Sequence, residues 1–187
     1  MSHTLLPAST RRAQPWKNGG GVTREIAAQP PGADLASFDW RISTATVATA
    51  GPFSQFPGVD RALLVLDGGL ALRIDGAEPQ VLKPGDDPLA FPGDVPVEAD
   101  LMAGPVTDLN IMVRRGAWTA RVQRIAVTRP ISLAAAGEVQ VAVALGDLKV
   151  AGAPVGFADA MRFDETLPVE PVSGPADLIL ISLSRTS

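Results

Sequence analysis

The chain lacks cysteine and has a single histidine, His3, among its 187 residues. Without thiols it can form neither a disulfide framework nor a thiolate site, which is typical of a protein from the reducing cytoplasm. Serine nucleophiles such as Ser43 or Ser54 would have no histidine base to activate them, so Ser-His-Asp and Cys-His catalysis are not expected. Zinc, iron and copper sites depend on imidazole or thiolate ligands. The sequence therefore predicts no bound metal and no other cofactor.

Long apolar runs and an excess of positive charge are also missing. No apolar stretch approaches the roughly 20 residues that a transmembrane helix needs, and the N-terminus has no signal-peptide pattern. The 16 basic and 20 acidic residues give a net charge of −4, the wrong sign for a general nucleic-acid binder. We expect no membrane or nucleic-acid partner, and instead a small molecule or a protein.

What the sequence does contain is a pattern of short strands and tight turns. It has 18 glycines and 17 prolines, together with 46% hydrophobic residues. Apolar and polar residues alternate over Phe38–Val47, and two further alternating segments, Arg61–Leu66 and Leu70–Ile74, flank the hairpin signal Asp67-Gly68-Gly69. Helix is limited to a turn or two, for example over Ala8–Gln14. The pattern predicts an all-β protein.

The chain also resembles itself. The frame Phe-x4-Pro-Val-Glu occurs at Phe91–Glu98 and again at Phe163–Glu170, 72 positions later. Gly-Pro and Asp-Leu pairs follow both frames, and a Val-x2-Gly-x-Leu-like segment precedes both. Three matches in the same order predict an internal duplication, in which two barrel-like β units pack as one compact body.

Several long motifs resemble the HutD/Ves family. They are Trp16–Ile26, Phe38–Ser43 and Gly51–Arg61, followed by Phe91-x-Gly93-Asp94 and the segment Gly104–Met112. The resemblance is strong over about residues 5–115 and weak beyond. It implies a bicupin: a first cupin-like unit at 1–115, with an N-terminal strand region and the pocket, and a second, degenerate cupin-like unit at 116–187. It also implies a role in modulating histidine utilisation, but no established reaction.

The resemblance to cupins supports the expectation that no metal is bound. Cupin enzymes usually hold a metal with two or three histidines and a glutamate in the first barrel. Here Arg61 stands at about the glutamate position, and Phe53, Ser54 and Phe56 lie where the histidine pair would fall.

Positions that are polar in the first copy of the repeat and apolar in the second indicate a pocket. At an offset of 78 residues Arg61 corresponds to Val139, and in the Gly-Pro frame Asn110 corresponds to Ile179. A scaffold unit would fill such inward positions with apolar side chains, whereas a polar cavity could use the planar guanidinium of Arg61 to bind a carboxylate. The alternative is structural: Arg61 pairs with Asp60 or Asp108 while Asn110 braces a loop.

The candidate ligand-binding residues are polar or aromatic residues in or near these motifs. Two alternatives stay open: Trp40 could be a core residue, and Gly19–Gly21 could form a tight turn without contact to a ligand. They are Arg61, Asn110, Asp108, Asp60, Lys17, Asn18, Ser54, Phe56, Trp40 and Phe91.

Three functions are compatible with these residues. The favoured one is a non-catalytic, cytoplasmic binding protein for a small anionic molecule; the family resemblance implies urocanate or N-formylglutamate as candidates and modulation of histidine/urocanate catabolism. The second is a metal-independent cupin enzyme acting on a small carboxylate, with Asp60, Asp108 or Glu25 as acid or base. The third is an interaction scaffold with a vestigial pocket. Exposed edge strands also leave room for a homodimer.

Overall fold

A computed structural model describes residues 3–186, which form short β-strands joined by turns. The strands are β1 (His3–Leu6), β2 (Ala13–Pro15), β3 (Gly21–Gln29), β4 (Trp40–Val47), β5 (Gly51–Pro52), β6 (Val59–Asp67), β7 (Leu70–Ile74), β8 (Gln80–Leu82), β9 (Leu89–Pro92), β10 (Val97–Leu101), β11 (Val106–Arg114), β12 (Trp118–Val127), β13 (Ile131–Leu133), β14 (Val139–Ala144), β15 (Leu148–Val150), β16 (Ala153–Val155), β17 (Ala160–Phe163), β18 (Leu167–Pro171) and β19 (Ala176–Arg185). The segment Ala8–Gln14 contains one 3-10 turn, Ala8–Thr10. Within the described residues no helix has the length and hydrophobicity to cross a membrane. The predicted all-β fold class is confirmed.

The chain divides into two compact units. The first unit is Arg12–Trp118, and the second combines the residues up to Arg11 with the chain from Thr119 onward. The sequence instead assigned 1–115 to the first unit and 116–187 to the second.

The difference at the N-terminus comes from strand β1. It pairs antiparallel with β17, placing Leu5 opposite Met161 at the edge of a sheet of the second unit. His3, the single histidine, begins this strand and is part of the sheet. Just after the strand, the backbone N–H of Ala8 donates to Oδ1 of Asp159 at 2.7 Å. The first residues are therefore fixed to the second unit and not to the first.

Two sheets face each other in the first unit. One has the strand order β2-β3-β4-β11-β6-β9 and the other β5-β10-β7-β8. The sheets do not join into a closed barrel, so the unit is a cupin-like sandwich around one apolar core. The buried residues of that core are Leu63, Val65, Leu70, Leu72, Leu82, Phe91, Val97, Ala99 and Val106.

The second unit repeats this arrangement. Its sheets have the orders β12-β19-β14-β17-β1 and β13-β18-β15-β16. The run β4-β11-β6-β9 of the first unit thus corresponds to β12-β19-β14-β17, and β5-β10-β7-β8 corresponds to β13-β18-β15-β16. This topology confirms the duplication on which the fold prediction rested.

The pairing of strands also shows which residues of the two units correspond. Arg61 lies opposite Phe91 in the pair β6–β9, and Gln140 lies opposite Phe163 in the pair β14–β17. The counterpart of Arg61 is therefore Gln140. The predicted counterpart Val139 is wrong by one residue, which matters because neighbouring strand residues face opposite sides of a sheet.

The same correction applies to strand β11. Asp108 pairs with Val65 of β6, as Leu178 pairs with Ala144 of β14. Two positions further, Asn110 corresponds to Leu180 and not to the predicted Ile179. The expectation of an apolar counterpart holds for Asn110 and extends to Asp108, whereas the counterpart of Arg61 is polar.

Candidate functional site

A cavity of about 560 Å³ lies on the inner face of the six-stranded sheet of the first unit. This volume is within the range of about 300–1,000 Å³ that is usual for small-molecule sites. Strands of the sheet form its floor, and the β2–β3 turn, the loop before β4 and the loop after β5 form its walls. The lining residues are Gln14, Pro15, Trp16, Lys17, Asn18, Thr23, Leu35, Arg41, Ser43, Ala45, Pro52, Phe53, Ser54, Phe56, Arg61, Asp108, Asn110 and Met112.

Strand alternation explains the polar floor. On β11 every second residue faces the cavity, namely Asp108, Asn110 and Met112. Asn110 lies opposite Ser43 of β4, and Met112 lies opposite Arg61 of β6. The polar floor therefore spans three adjacent strands.

The β2–β3 turn forms one wall of the cavity. The indole Nε1 of Trp16 donates to Oγ1 of Thr23 at 2.8 Å, and the Trp16 ring meets that of Phe53 edge-on with centroids 6.4 Å apart. A Cβ atom on Gly21 would lie 2.6 Å from the carbonyl oxygen of Thr46 and 3.0 Å from the Trp16 ring. These contacts explain why strand β3 begins with a glycine, and they account for one of the three consecutive glycines as a packing requirement. Lys17 and Asn18, both predicted site residues, lie in the same wall.

Arg61 is buried in an aromatic setting. It is 6% exposed, and its Cζ atom lies 5.0 Å from the ring centroid of Phe91, 5.5 Å from that of Phe53 and 5.6 Å from that of Phe56. Such contacts favour a cation over the faces of aromatic rings. Phe91 was predicted to line the pocket, but it lies in the apolar core and supports the Arg61 guanidinium.

The hydrogen bonds of Arg61 leave much of its guanidinium unused. Its Nη1 makes a long contact of 3.5 Å with the carbonyl oxygen of Ser54, and its Nε has no partner within residues 3–186. Burial lowers the pKa of Arg61 to about 10, although the negative charge of Asp108 acts to raise it. The guanidinium is still a cation at neutral pH, and it forms no ion pair with the described residues.

Asp60 does not belong to the cavity, contrary to its prediction as a site residue. Its Oδ1 accepts from Nε of Arg115 at 2.7 Å, and Arg115 also binds Asp94. Asp60 and Arg61 are neighbours on β6 and so face opposite sides of the sheet. The alternative in which Asp60 neutralises Arg61 is therefore wrong.

Two buried acceptors face the cavity from β11. Asp108 is 2% exposed. Its Oδ1 and the Oδ1 of Asn110 have no hydrogen-bond partner among the described residues. Burial raises the pKa of Asp108 to about 7, although the Arg61 charge and the backbone N–H of Ala45 both act to lower it.

A second buried arginine, Arg41, completes the floor. Its Nε donates to Oε2 of Glu25 at 2.8 Å, and its Nη2 lies 3.4 Å from Oε1 of Gln14. The structure places Trp40 on the opposite side of β4, where its ring meets that of Trp118 at 6.4 Å, so the prediction of Trp40 as a pocket residue is wrong.

Sequence reasoning thus placed Arg61, Asp108, Asn110, Lys17, Asn18, Ser54 and Phe56 in what proves to be one cavity. It missed Ser43 and Ala45, because alternation along a strand defines two faces without showing which of them lines the cavity. The knowledge that Trp40 packs on the other side of β4 would have assigned both residues to the cavity. Leu35 carried no signal, since it lies in an irregular loop and is 54% exposed.

The residues of the cavity do not fit a metal centre of the cupin type. Within residues 3–186, no three or more His, Asp or Glu side chains are close enough to hold a metal ion. The cavity presents the guanidinium of Arg61 near the position where such an enzyme carries its glutamate, and that cation repels a metal ion. An anion with a small apolar body suits this mixture of buried cation, aromatic wall and free acceptors.

Comparisons with known proteins agree with this fold. A curated relative, the uncharacterized 21.2 kDa protein in the hutC 3' region of Pseudomonas putida, is 39% identical over 120 residues, which is 64% of this chain and 62% of that protein. The chain therefore spans about three-fifths of the length of this relative.

Solved structures extend the likeness over the whole chain. HutD from Pseudomonas fluorescens SBW25 is 30% identical with a TM-score of 0.85, and all of both chains is covered. A cupin 2 conserved barrel domain protein from Leptotrichia buccalis is 14% identical with a TM-score of 0.61, covering 88% of this chain and 89% of that one, which shows the fold alone. The sequence model of the HutD family matches residues 8–170. The chain belongs to the HutD family.

Proposed function

We propose that the first unit binds a small carboxylate in its cavity and catalyses no reaction on it. The observation that carries the proposal is Arg61, a buried guanidinium among three phenyl rings with no ion pair within residues 3–186. A buried charge without a counter-ion is costly, and a guanidinium matches a carboxylate through two parallel hydrogen bonds. A bound carboxylate would supply the hydrogen-bonded counter-ion that Asp108, whose charge acts on Arg61 without an ion pair, does not.

Family membership guides the choice of ligand. The Pseudomonas putida relative is named for its position beside hutC, and the family resemblance implies a role in histidine utilisation. Urocanate and N-formylglutamate, both small carboxylates, are therefore the ligands to test, with modulation of histidine/urocanate catabolism in the cytoplasm as the role. A homodimer and a protein partner remain predictions.

A second candidate function rests on Asp108. Its pKa of about 7 and its place in the same cavity as Arg61 suit a group that gives or takes a proton at neutral pH. Turnover of either compound by the purified protein, lost in Asp108→Asn, would favour the enzyme over the binding protein. The scaffold alternative has less support, because the acceptors of Asp108 and Asn110 are not sealed in a network of protein hydrogen bonds.

The binding proposal is tested by thermal unfolding and titration calorimetry with each compound. A ligand at a hundredfold excess over its Kd stabilises the folded state by about 2.7 kcal/mol, which raises the Tm of a chain of this size by roughly 5–10 °C. Arg61→Gln, which introduces the residue of the second unit, should weaken binding at least about tenfold because the charge-assisted pair is lost.

Arg73→Gln is the matched control, since it changes an arginine outside the cavity whose Nη1 donates to the carbonyl oxygen of Ala77 at 3.1 Å. It should bind like the wild type. If neither compound raises the Tm or releases heat at millimolar concentration, histidine-pathway carboxylates are not the ligands. If Arg61→Gln and Arg73→Gln bind equally well, Arg61 is not the anchor.

A further inference from the structure

The hydrogen-bond acceptors on β11 indicate the chemistry of the part of the ligand that lies away from Arg61. Oδ1 of Asp108 and Oδ1 of Asn110 are both buried, both face the cavity, and neither receives a hydrogen bond from residues 3–186. Met112 lies opposite Arg61, so at about 3.4 Å per residue Asn110 and Asp108 lie roughly 7 and 14 Å along the strand from the level of Arg61. The cavity therefore has a cationic end and an acceptor end on the same floor.

The second unit shows that these acceptors are not needed by the fold. The positions of Asp108 and Asn110 are occupied there by Leu178 and Leu180, which belong to its apolar core. Its buried amide Gln140 lies 2.6 Å from Oγ of Ser182 and is within hydrogen-bond distance of a backbone N–H of the preceding loop. The buried amide of Gln140 is satisfied in the second unit, whereas the Oδ1 atoms of Asp108 and Asn110 in the first unit have no partner among the described residues.

We propose that the ligand of this cavity carries, besides its carboxylate, an N–H or O–H donor that Asp108 and Asn110 accept. The inference rests on the proposed carboxylate at Arg61 and narrows it to acids whose other end donates hydrogen bonds. A simple carboxylate would leave both acceptors unpaired and would be discriminated against, since a site built to hydrogen-bond a donor rejects the analogue that lacks it.

The surroundings of Asp108 support this assignment. Burial raises its pKa because the charged form lacks solvent and has few donors, and a donor from the ligand would stabilise that charged form. The walls contributed by Trp16, Phe53 and Phe56 fit a flat body between the two ends. Urocanate and N-formylglutamate both contain an N–H group, so the inference agrees with the ligands proposed above.

The test compares two acids of nearly equal shape, pyrrole-2-carboxylate and furan-2-carboxylate, by titration calorimetry. They differ in one ring atom, an N–H donor in the first and an oxygen acceptor in the second. The wild type should bind the pyrrole acid at least about tenfold more tightly. Asn110→Leu and Asp108→Leu should reduce that preference to about twofold or less, because the leucines of the second unit accept no hydrogen bond.

Circular dichroism and Tm confirm that each variant is folded; if Asp108→Leu is not, Asn110→Leu alone decides. Arg61→Gln should weaken both acids alike, because they share the carboxylate. Equal binding of the two acids by the wild type, or an unchanged preference in Asn110→Leu, overturns the donor inference and leaves the carboxylate site intact. Failure of both acids to bind overturns the inference together with the proposed function.

Discussion

Two amide side chains, Asn110 and Gln140, show how residues of one kind serve different ends in the two units. Gln140 is fully buried, and its amide lies 2.6 Å from Oγ of Ser182. Asn110 is half-buried, and its Oδ1 has no partner within residues 3–186. A satisfied buried amide stabilises the fold, whereas an unsatisfied one costs about 1–3 kcal/mol. The unsatisfied amide of Asn110 is typical of a binding site, and the satisfied amide of Gln140 is typical of a core.

This contrast predicts opposite effects for the same kind of substitution. Asn110→Leu should raise the free energy of unfolding by about 1 kcal/mol, because an unpaired acceptor is replaced by the residue type found at Leu180. Gln140→Leu should lower it by about 1–3 kcal/mol, because Ser182 loses its partner. Urea unfolding of the two variants and the wild type measures both. A destabilised Asn110→Leu would show that Asn110 has a structural role.

The strands of this protein were easier to predict than the direction in which their side chains point. Alternation over Phe38–Val47 predicted a strand, and the structure has β4 there. The same alternation could not show that Arg41, and not the predicted Trp40, faces the cavity, since only the packing of a second layer decides which face is inward. Comparison of the two halves of the sequence likewise gave Val139 as the counterpart of Arg61, one residue from the true counterpart Gln140. Because successive side chains alternate, that single step exchanges a residue on one face of the sheet for a residue on the other face.

The β2–β3 hairpin depends on a close approach that only glycine allows. Gly21→Ala would place a Cβ atom 2.6 Å from the carbonyl oxygen of Thr46 and 3.0 Å from the Trp16 ring. We expect the free energy of unfolding to fall by about 1–3 kcal/mol and carboxylate binding to weaken, because the wall of the cavity must move. Gly156→Ala is the control, since its Cβ would lie no closer than 3.9 Å to a neighbour. Equal stability of the two variants would argue against this packing role.

At the scale of the whole molecule, the duplication was readable from the sequence because turn residues recur in a fixed order. What could not be read was the partner of the N-terminal strand. His3–Leu6 pairs with Ala160–Phe163, more than 150 positions away, and no local pattern specifies so distant a neighbour. Residues 3–11 therefore belong to the second unit, and the cavity is built from residues of Arg12–Trp118.

One buried carboxyl group should shape the pH dependence of the stability of the protein. The pKa of Asp108 is about 7 in the folded protein, against about 4 for an ordinary aspartate in an unfolded chain. Between these values the unfolded chain has released a proton that the folded state still holds. The free energy of unfolding should therefore fall as the pH rises from about 4 to 7, with no further contribution from Asp108 above that range.

Asp108→Asn removes this titration, so its stability relative to the wild type should improve steadily from pH 5 to 7 and then stay constant. Urea unfolding at pH 5, 6, 7 and 8 measures the difference. Asn110→Leu changes a neighbouring side chain that does not titrate and should keep the wild-type slope. A difference between Asp108→Asn and the wild type that is independent of pH would mean that Asp108 is ionised throughout, with Arg61 as its effective counter-ion. In that case the cation would already be neutralised, and the case for an external carboxylate would lose its main support.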